Sequence, residues 1–186
     1  MTRIKIEFKN KTFQKLEDLL EHGLTKRQLN AATKSVLNST ATQVKIDLVE
    51  RIRKEIWLSK ADASAPIRIV KDPNGVEVVV DKTKRPSLKR FPHKQTGTGV
   101  AYKVNKKKGW QMARHAFIVN ELGKHVYRRT TKKRLPIYRV DRGASPWAVY
   151  KKQKLGEWIK TRKTKVVKQE IANKIDELIK KYKLRT

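Results

Sequence analysis

Lysine and arginine residues cluster at three places in the chain where the sequence predicts turns or strand ends. Ammonium groups on a turn can reach phosphate oxygens, and guanidinium groups bind such oxygens with two parallel hydrogen bonds. These side chains are candidate contacts to DNA or to an acidic partner, and solvated turns are the alternative. The candidates are Lys106, Lys107 and Lys108, Arg128 and Arg129, and Lys132, Lys133 and Arg134.

Aromatic residues are interleaved with these cations. Tyr102, Trp110 and Tyr127 could stack on nucleic-acid bases, although packing in a core or an interface is the commoner role of such side chains. The sequence has no helix-turn-helix, zinc-finger or RNA-binding signature. Any contact with DNA is therefore expected to be electrostatic, independent of base sequence and sensitive to salt.

Residues suited to catalysis are scarce. The chain has no cysteine, which excludes a thiol nucleophile and a thiolate metal site. His93, His115 and His125 lie within residues 82–134, where the one acidic residue is Glu121. A histidine–carboxylate acid–base pair or metal cluster therefore lacks the carboxylates that it needs. Gly97-Thr98-Gly99 lacks the lysine and serine of a phosphate-binding loop. The sequence predicts no catalytic residue, no metal site and no cofactor.

The charge of the chain is strongly unbalanced. Its 186 residues include 47 Lys and Arg against 17 Asp and Glu, a net charge of +30. Residues 1–81 carry +4, residues 82–134 carry +16 and residues 135–186 carry +10. Such an excess points to anionic partners rather than to a fold. No apolar run suits a membrane span or a signal peptide, so a soluble protein made in the cytoplasm is expected.

Apolar spacing predicts which elements hold these side chains. A strand around Ile4 and Ile6, then a helix over residues 13–20, precede a long helix from Thr25 to about Trp57, which begins with a capping box formed by Thr25 and Gln28. Its apolar stripe comprises Leu29, Ala32, Val36, Val44, Leu48, Ile52 and Ile56.

The sequence of the middle of the chain predicts short antiparallel strands. Residues 66–81 predict a β-hairpin, and residues 86–99 an irregular loop. Further strands are predicted over residues 100–104, 116–119, 125–129 and 135–140, with a basic turn over residues 105–109.

The sequence of the C-terminal part of the chain predicts helices. Ser145 and Pro146 suit the N-cap and first position of a short helix that runs to about Lys154. Gly156 is predicted to separate it from a long helix that ends near Tyr182. The prediction is one α+β domain over residues 1–186, with an N-terminal segment 1–60, a β-region 61–142 and C-terminal helices 143–186. Helices this long have apolar stripes that a small sheet cannot cover, which predicts association with further copies of the chain.

An ordered set of short motifs between residues 86 and 146 resembles the minor tail protein Z family of lambda-like phages and prophages. The motifs are Ser87–Phe91, Thr96–Val104 (TGTGVAYKV), Ala116–Ile118, Gly123–Arg129, Arg134–Tyr138 and Gly143–Pro146. Each motif alone is weak, and their order carries the resemblance.

The resemblance implies a non-enzymatic structural protein of the virion. Proteins of this family act at the neck or the head-proximal end of the tail, where they complete the tail and join it to the DNA-filled head. The implied partners are copies of the same chain in a ring, such as a hexamer, other neck and tail proteins (terminator, connector or tube), and DNA in the channel. Two alternatives stay open: a sequence-independent nucleic-acid-binding protein of ribosomal or nucleoid type, and a nuclease built from distant carboxylates.

Overall fold

A computed structural model of the chain describes residues 2–6, 25–72, 75–129, 136–140 and 145–182. The fold is α+β, as predicted, with a long helix on each side of small antiparallel sheets. The described residues form two compact units. The strand unit draws on Val49–Ile67 and Val80–Gln153, and the helix unit draws on Thr2–Leu48, Arg68–Val79 and Lys154–Thr186. The prediction of a single domain stays a prediction.

The first long helix, α1, covers Lys26–Glu55 and confirms the predicted start. The backbone N–H of Thr25 donates to Gln28 Oε1 at 2.8 Å, and the N–H of Gln28 donates back to Thr25 Oγ1 at 3.4 Å. This reciprocal capping box satisfies two N–H groups that a helix terminus leaves without partners. All residues of the predicted apolar stripe are buried or, for Leu29, half-buried. The predicted helix over residues 13–20 lies outside the described residues.

Two helices follow one another near the C-terminus, and the break between them differs from the prediction. Helix α3 covers Pro146–Lys152, with Ser145 at its N-cap and the proline in the first turn, as predicted. Helix α4 covers Leu155–Tyr182 and includes Gly156, so the prediction of a break at that glycine was wrong. The break lies at Lys154, whose φ of +46° is left-handed and cannot continue an α-helix.

The core of the helix unit is a seam between α1 and α4. Residues spaced three or four apart on each helix meet there, because such residues share one helix face. The cluster consists of Leu29, Ala32 and Val36 from α1 and Val167, Ile171, Ile175 and Leu178 from α4.

An ion pair joins the same two helices. Arg162 Nε donates to Asp47 Oδ2 at 2.6 Å, and Gln43 Nε2 donates to Asp47 Oδ1 at 2.9 Å. The hydrogen bond and the charge of Asp47 raise the pKa of Arg162, against a smaller opposing effect of desolvation. The pair therefore links α1 to α4 through a guanidinium group that stays protonated.

A buried hydroxyl in α1 offers a direct test of the packing. Within the described residues, Thr40 Oγ1 and Ser145 Oγ are buried without a hydrogen-bond partner. Valine has nearly the shape of threonine and a similar helix propensity, so Thr40→Val is expected to raise the free energy of unfolding by about 1 kcal/mol. Chemical denaturation measures the change. Thr42→Val is the control, because the exposed Thr42 hydroxyl donates to Asn38 O at 2.9 Å and its loss should not stabilise the chain.

The predicted hairpin over residues 66–81 is confirmed. Strand β2 covers Ile67–Asp72 and strand β3 covers Gly75–Val80. With β1, which covers Thr2–Ile6, they form a sheet in the order β1-β3-β2. Strand β3 is central, and its valines are buried on both faces of the sheet.

The strand unit contains two three-stranded antiparallel sheets. The first consists of β4 (His93–Thr96), β5 (Gly99–Tyr102) and β6 (Gln111–Arg114). The second consists of β7 (Ala116–Val119), β8 (His125–Arg129) and β9 (Ile137–Arg139). Strands β5, β7, β8 and β9 confirm predicted strands. A short helix α2, Lys60–Ser64, begins at the N-cap Ser59.

The prediction of an irregular loop over residues 86–99 was wrong. A 3₁₀ turn, Leu88–Arg90, and strand β4 occupy this segment. The sequence of β4, HKQT, has no apolar residue, so the usual alternation of a half-buried strand is absent. Pairing with β5 places this strand instead, in the register Lys94 opposite Ala101 and Thr96 opposite Gly99.

Gly99 is required by the close approach of β6. A Cβ atom at this position would lie 2.2 Å from the carbonyl oxygen of Ala113, a backbone atom that cannot move aside alone. Gly99→Ala is therefore expected to lower the free energy of unfolding by about 2 kcal/mol, as overpacking does elsewhere. Gly97→Ala is the matched control, since a Cβ there would meet no atom within 4 Å. Equal effects of the two substitutions in denaturant titrations would contradict this account.

Candidate functional site

The basic turn of residues 105–109 is held against the end of α1. The N–H of Lys106 donates to Glu55 O at 2.9 Å, and the N–H of Trp57 donates to Val104 O at 2.8 Å. Asn105 Oδ1 accepts from the N–H of Lys107 at 2.8 Å, which closes the turn. The turn thus brings three cations to a helix C-terminus, where the helix dipole favours positive charge.

The three lysines of this turn differ in their surroundings. Lys107 Nζ lies 3.2 Å from Glu55 Oε1, so a carboxylate already pairs with its charge. Lys106 Nζ lies 5.0 Å from the ring centroid of Trp57, a cation–π distance. Lys108 is exposed and has no ion-pair partner in the described part of the chain. Lys106 and Lys108 therefore keep more of their charge for a partner than Lys107 does.

Arg128 and Arg129 are both exposed on β8 but lie on opposite faces of its sheet. Arg128 aligns with Ala116 and Tyr138, whereas Arg129 aligns with Ile137 on the other face. The guanidinium carbon of Arg129 lies 5.1 Å from the ring centroid of Phe117. The two guanidinium groups therefore cannot bind the same phosphate group. Lys132, Lys133 and Arg134 lie outside the described residues.

The aromatic residues singled out in the sequence have different exposures. Trp110 is 47% exposed and lies just before β6. Tyr102 and Tyr127 are half-buried, and the Tyr127 ring lies 6.4 Å from that of Phe117 and 6.5 Å from that of His125. Of the three, Trp110 is therefore the most exposed.

Sequence reasoning missed the cations that surround Trp110. Lys94 Nζ and Lys103 Nζ each lie 4.9 Å from its ring centroid. Lys94 was overlooked because its strand was predicted to be a loop. One signal was available: Trp110, Met112 and Arg114 alternate along the chain and so share one face of a strand.

The histidines of the strand unit make structural contacts. His93 Nδ1–H donates to Phe91 O at 2.8 Å, and His125 Nδ1 lies 3.4 Å from Ser87 Oγ. His115 is exposed in a left-handed turn between β6 and β7. Across the described residues, no group of three His, Asp or Glu side chains could hold a metal ion. None of the described helices has the length and apolar character needed to cross a membrane.

Comparison with known proteins adds no relative: the chain matches no protein-family model, no curated protein and no solved structure.

Proposed function

We propose that this chain is a structural protein of a tailed-phage virion, at the neck or the head-proximal end of the tail. There it completes the tail and joins it to the head, as a ring of identical chains around the DNA channel. Its partners are neck and tail proteins and, without base specificity, the DNA. No cofactor and no catalytic step belong to this function.

One observation carries the proposal: a long carboxylate-free segment folds into ordered strands. Residues 82–120 contain eleven lysines and arginines and no Asp or Glu. Two of the eleven cations pair with carboxylates outside the segment, Arg90 with Asp62 and Lys107 with Glu55. Strands β4 to β7 order residues 93–119, so the remaining charges there form a fixed surface rather than a loose basic tail. Such a surface is incomplete without an anionic neighbour, which the DNA of a channel or an acidic tail protein would supply.

The motifs that resemble the tail protein family lie on this same unit. Thr96–Val104 spans the turn between β4 and β5 and continues through β5, and Ala116–Ile118 begins β7. Gly123–Arg129 enters and forms β8. These motifs thus fall on strands of the two small sheets of the strand unit, β4 and β5 in one sheet and β7 and β8 in the other.

The two long helices limit how a ring could form. Helix α1 has 30 residues and α4 has 28, which correspond to about 45 Å and 42 Å. The apolar stripe of α1 is buried within one chain, so contacts between neighbouring subunits would use the exposed faces of these helices and not the stripe.

The proposal is tested by locating the chain in particles. Phage particles that carry a gold-labelled copy of this chain would be imaged by electron microscopy, and the copy number measured by quantitative mass spectrometry. We expect label at the head-proximal end of the tail and several copies per particle. Label along the whole tube, or one copy per particle, would contradict the proposal. Recovery with ribosomes or the nucleoid instead would favour the nucleic-acid-binding alternative.

A further inference from the structure

The sheet formed by β4, β5 and β6 presents one face that combines aromatic, apolar and cationic side chains. Residues directly opposite one another share a face, and the register places Lys94 by Ala101 and Met112, and Thr96 by Gly99 and Arg114. The same register continued by one step places Lys103 opposite Trp110. We call this surface the tryptophan face; it comprises Lys94, Thr96, Gly99, Ala101, Lys103, Trp110, Met112 and Arg114.

The tryptophan face is directed away from the core of its sheet. Trp110 is 47% and Met112 is 44% exposed, and Lys94 and Arg114 are exposed as well. On the opposite face Val100 is fully buried, Ala113, Tyr102, His93 and Gln111 are half-buried, and Gln95 is exposed. Two large apolar side chains, those of Trp110 and Met112, are thus neighbours on the exposed face of a strand. The stability of the isolated chain does not require apolar side chains there.

Small residues in the central strand give the face its shape. Gly99 and Ala101 lie between the side chains of the two edge strands, and both are buried beneath them. Lys94 can therefore reach across Ala101 to the Trp110 ring on the far strand. Thr96 likewise reaches across to Met112, with Oγ1 3.6 Å from the sulfur.

No carboxylate among the described residues pairs with the charges around Trp110. Lys94, Lys103 and Arg114 make no ion pair with any of the described residues, and their whole segment lacks carboxylates. Two ammonium groups held at one ring repel each other, and an exposed cation–π contact returns only a small stabilisation. An anion close to these three groups would relieve that repulsion.

We propose that the tryptophan face binds single-stranded nucleic acid without regard to sequence. A base stacks on the Trp110 ring in place of a lysine ammonium group, and the backbone phosphates contact Lys94, Lys103 and Arg114. An unpaired strand fits best because a duplex keeps its base faces stacked inside, where the ring cannot reach them. An acidic peptide would match the charges but would give the ring no planar partner. This inference does not depend on the place of the chain in a virion.

The test uses the full-length protein and a fluorescein-labelled twenty-nucleotide thymidine strand. Trp110→Ala is expected to weaken binding about tenfold, which is the usual effect of removing one stacked aromatic side chain. Trp110→Phe should keep most of the affinity, because a ring remains. Lys94→Gln should reduce the steepness of the salt dependence by about 0.7 in a log–log plot.

The matched control is Leu122→Ala. Leu122 is 50% exposed, a large apolar side chain of the same unit, and lies outside both the tryptophan face and the turn of residues 105–109. This substitution should change the affinity less than twofold. Near-UV circular dichroism checks that each variant keeps its fold.

Three results would overturn the inference. Equal losses from Trp110→Ala and Leu122→Ala would show that the face has no special role. A duplex of equal length that binds as tightly as the single strand, with no effect of Trp110→Ala, would assign the binding to charge alone. Displacement of the strand by polyglutamate at equal charge concentration would identify the occupant as an acidic protein segment.

Discussion

Replacing Ile171 by alanine is expected to lower the free energy of unfolding by about 3 kcal/mol. Its side chain is buried in the seam between α1 and α4, in contact with the cluster that includes Val36 and Leu178. Truncation removes apolar burial and leaves a cavity that two long helices cannot close without shifting along their lengths. Urea titration followed by far-UV circular dichroism measures the loss.

The neighbouring residue Asn173 supplies the control for this prediction. It lies on the exposed side of the same helix turn, so Asn173→Ala should change the free energy of unfolding by less than about 0.5 kcal/mol. Similar losses for the two substitutions would mean that the seam does not support the helix unit. A smaller effect of Ile171→Ala at higher protein concentration would indicate that association with other copies compensates for the cavity.

Binding of the intact chain to duplex DNA is expected to weaken about a thousandfold between 50 and 200 mM salt. That loss corresponds to about six phosphate contacts, each of which releases counterions from the DNA. Filter binding or fluorescence anisotropy with duplexes of unrelated sequence measures it. The affinity should not depend on the sequence, because the proposed contacts are made with phosphates.

Single substitutions in the turn of residues 105–109 sharpen this second prediction. Lys108→Gln should reduce the log–log salt slope by about 0.9, the value for one phosphate contact. Lys107→Gln should reduce it by less, since Glu55 already holds the Lys107 ammonium group. Equal changes for the two lysines, or binding that is insensitive to salt, would contradict the prediction.

Local signals in the sequence predicted much of the fold. The capping box of Thr25 and Gln28 involves residues three apart, so its geometry is encoded within one helical turn. The hairpin over residues 66–81 is similarly local, with valines on one arm and turn residues beside it. Signals of this kind need no knowledge of the rest of the chain.

Features that depend on distant partners escaped prediction. Strand β4 consists of polar residues, and it is a strand because β5 offers it a partner. The pairing of Lys107 with Glu55 required the chain to return to the end of α1 after some fifty residues. The break between the two C-terminal helices was predicted at Gly156, because glycine commonly interrupts a helix. It lies at Lys154 instead, and the sequence does not indicate that this lysine adopts a left-handed conformation.

The candidate site was predicted in part. The exposure of Lys106, Lys107, Lys108, Arg128 and Arg129 follows from their places in a turn and on a strand end. Strand alternation alone would have separated Arg128 from Arg129, since neighbours on a strand point to opposite faces. The grouping of Lys94 and Lys103 at Trp110 could not be foreseen, because it depends on the strand that was taken for a loop.

The register of β5 with β6 has a consequence for insertions and deletions. Tyr102 pairs with Gln111, and the residues between them form the connection. Removing or adding one residue inside β6 would shift the phase of the strand beyond that point by one. Loss of Gln111 would turn Met112 and Arg114 inward and carry Ala113 to the outside. A library of single-residue indels should therefore be depleted across β6, whereas indels in the exposed turn of residues 106–109 should be tolerated, because the connection can absorb them.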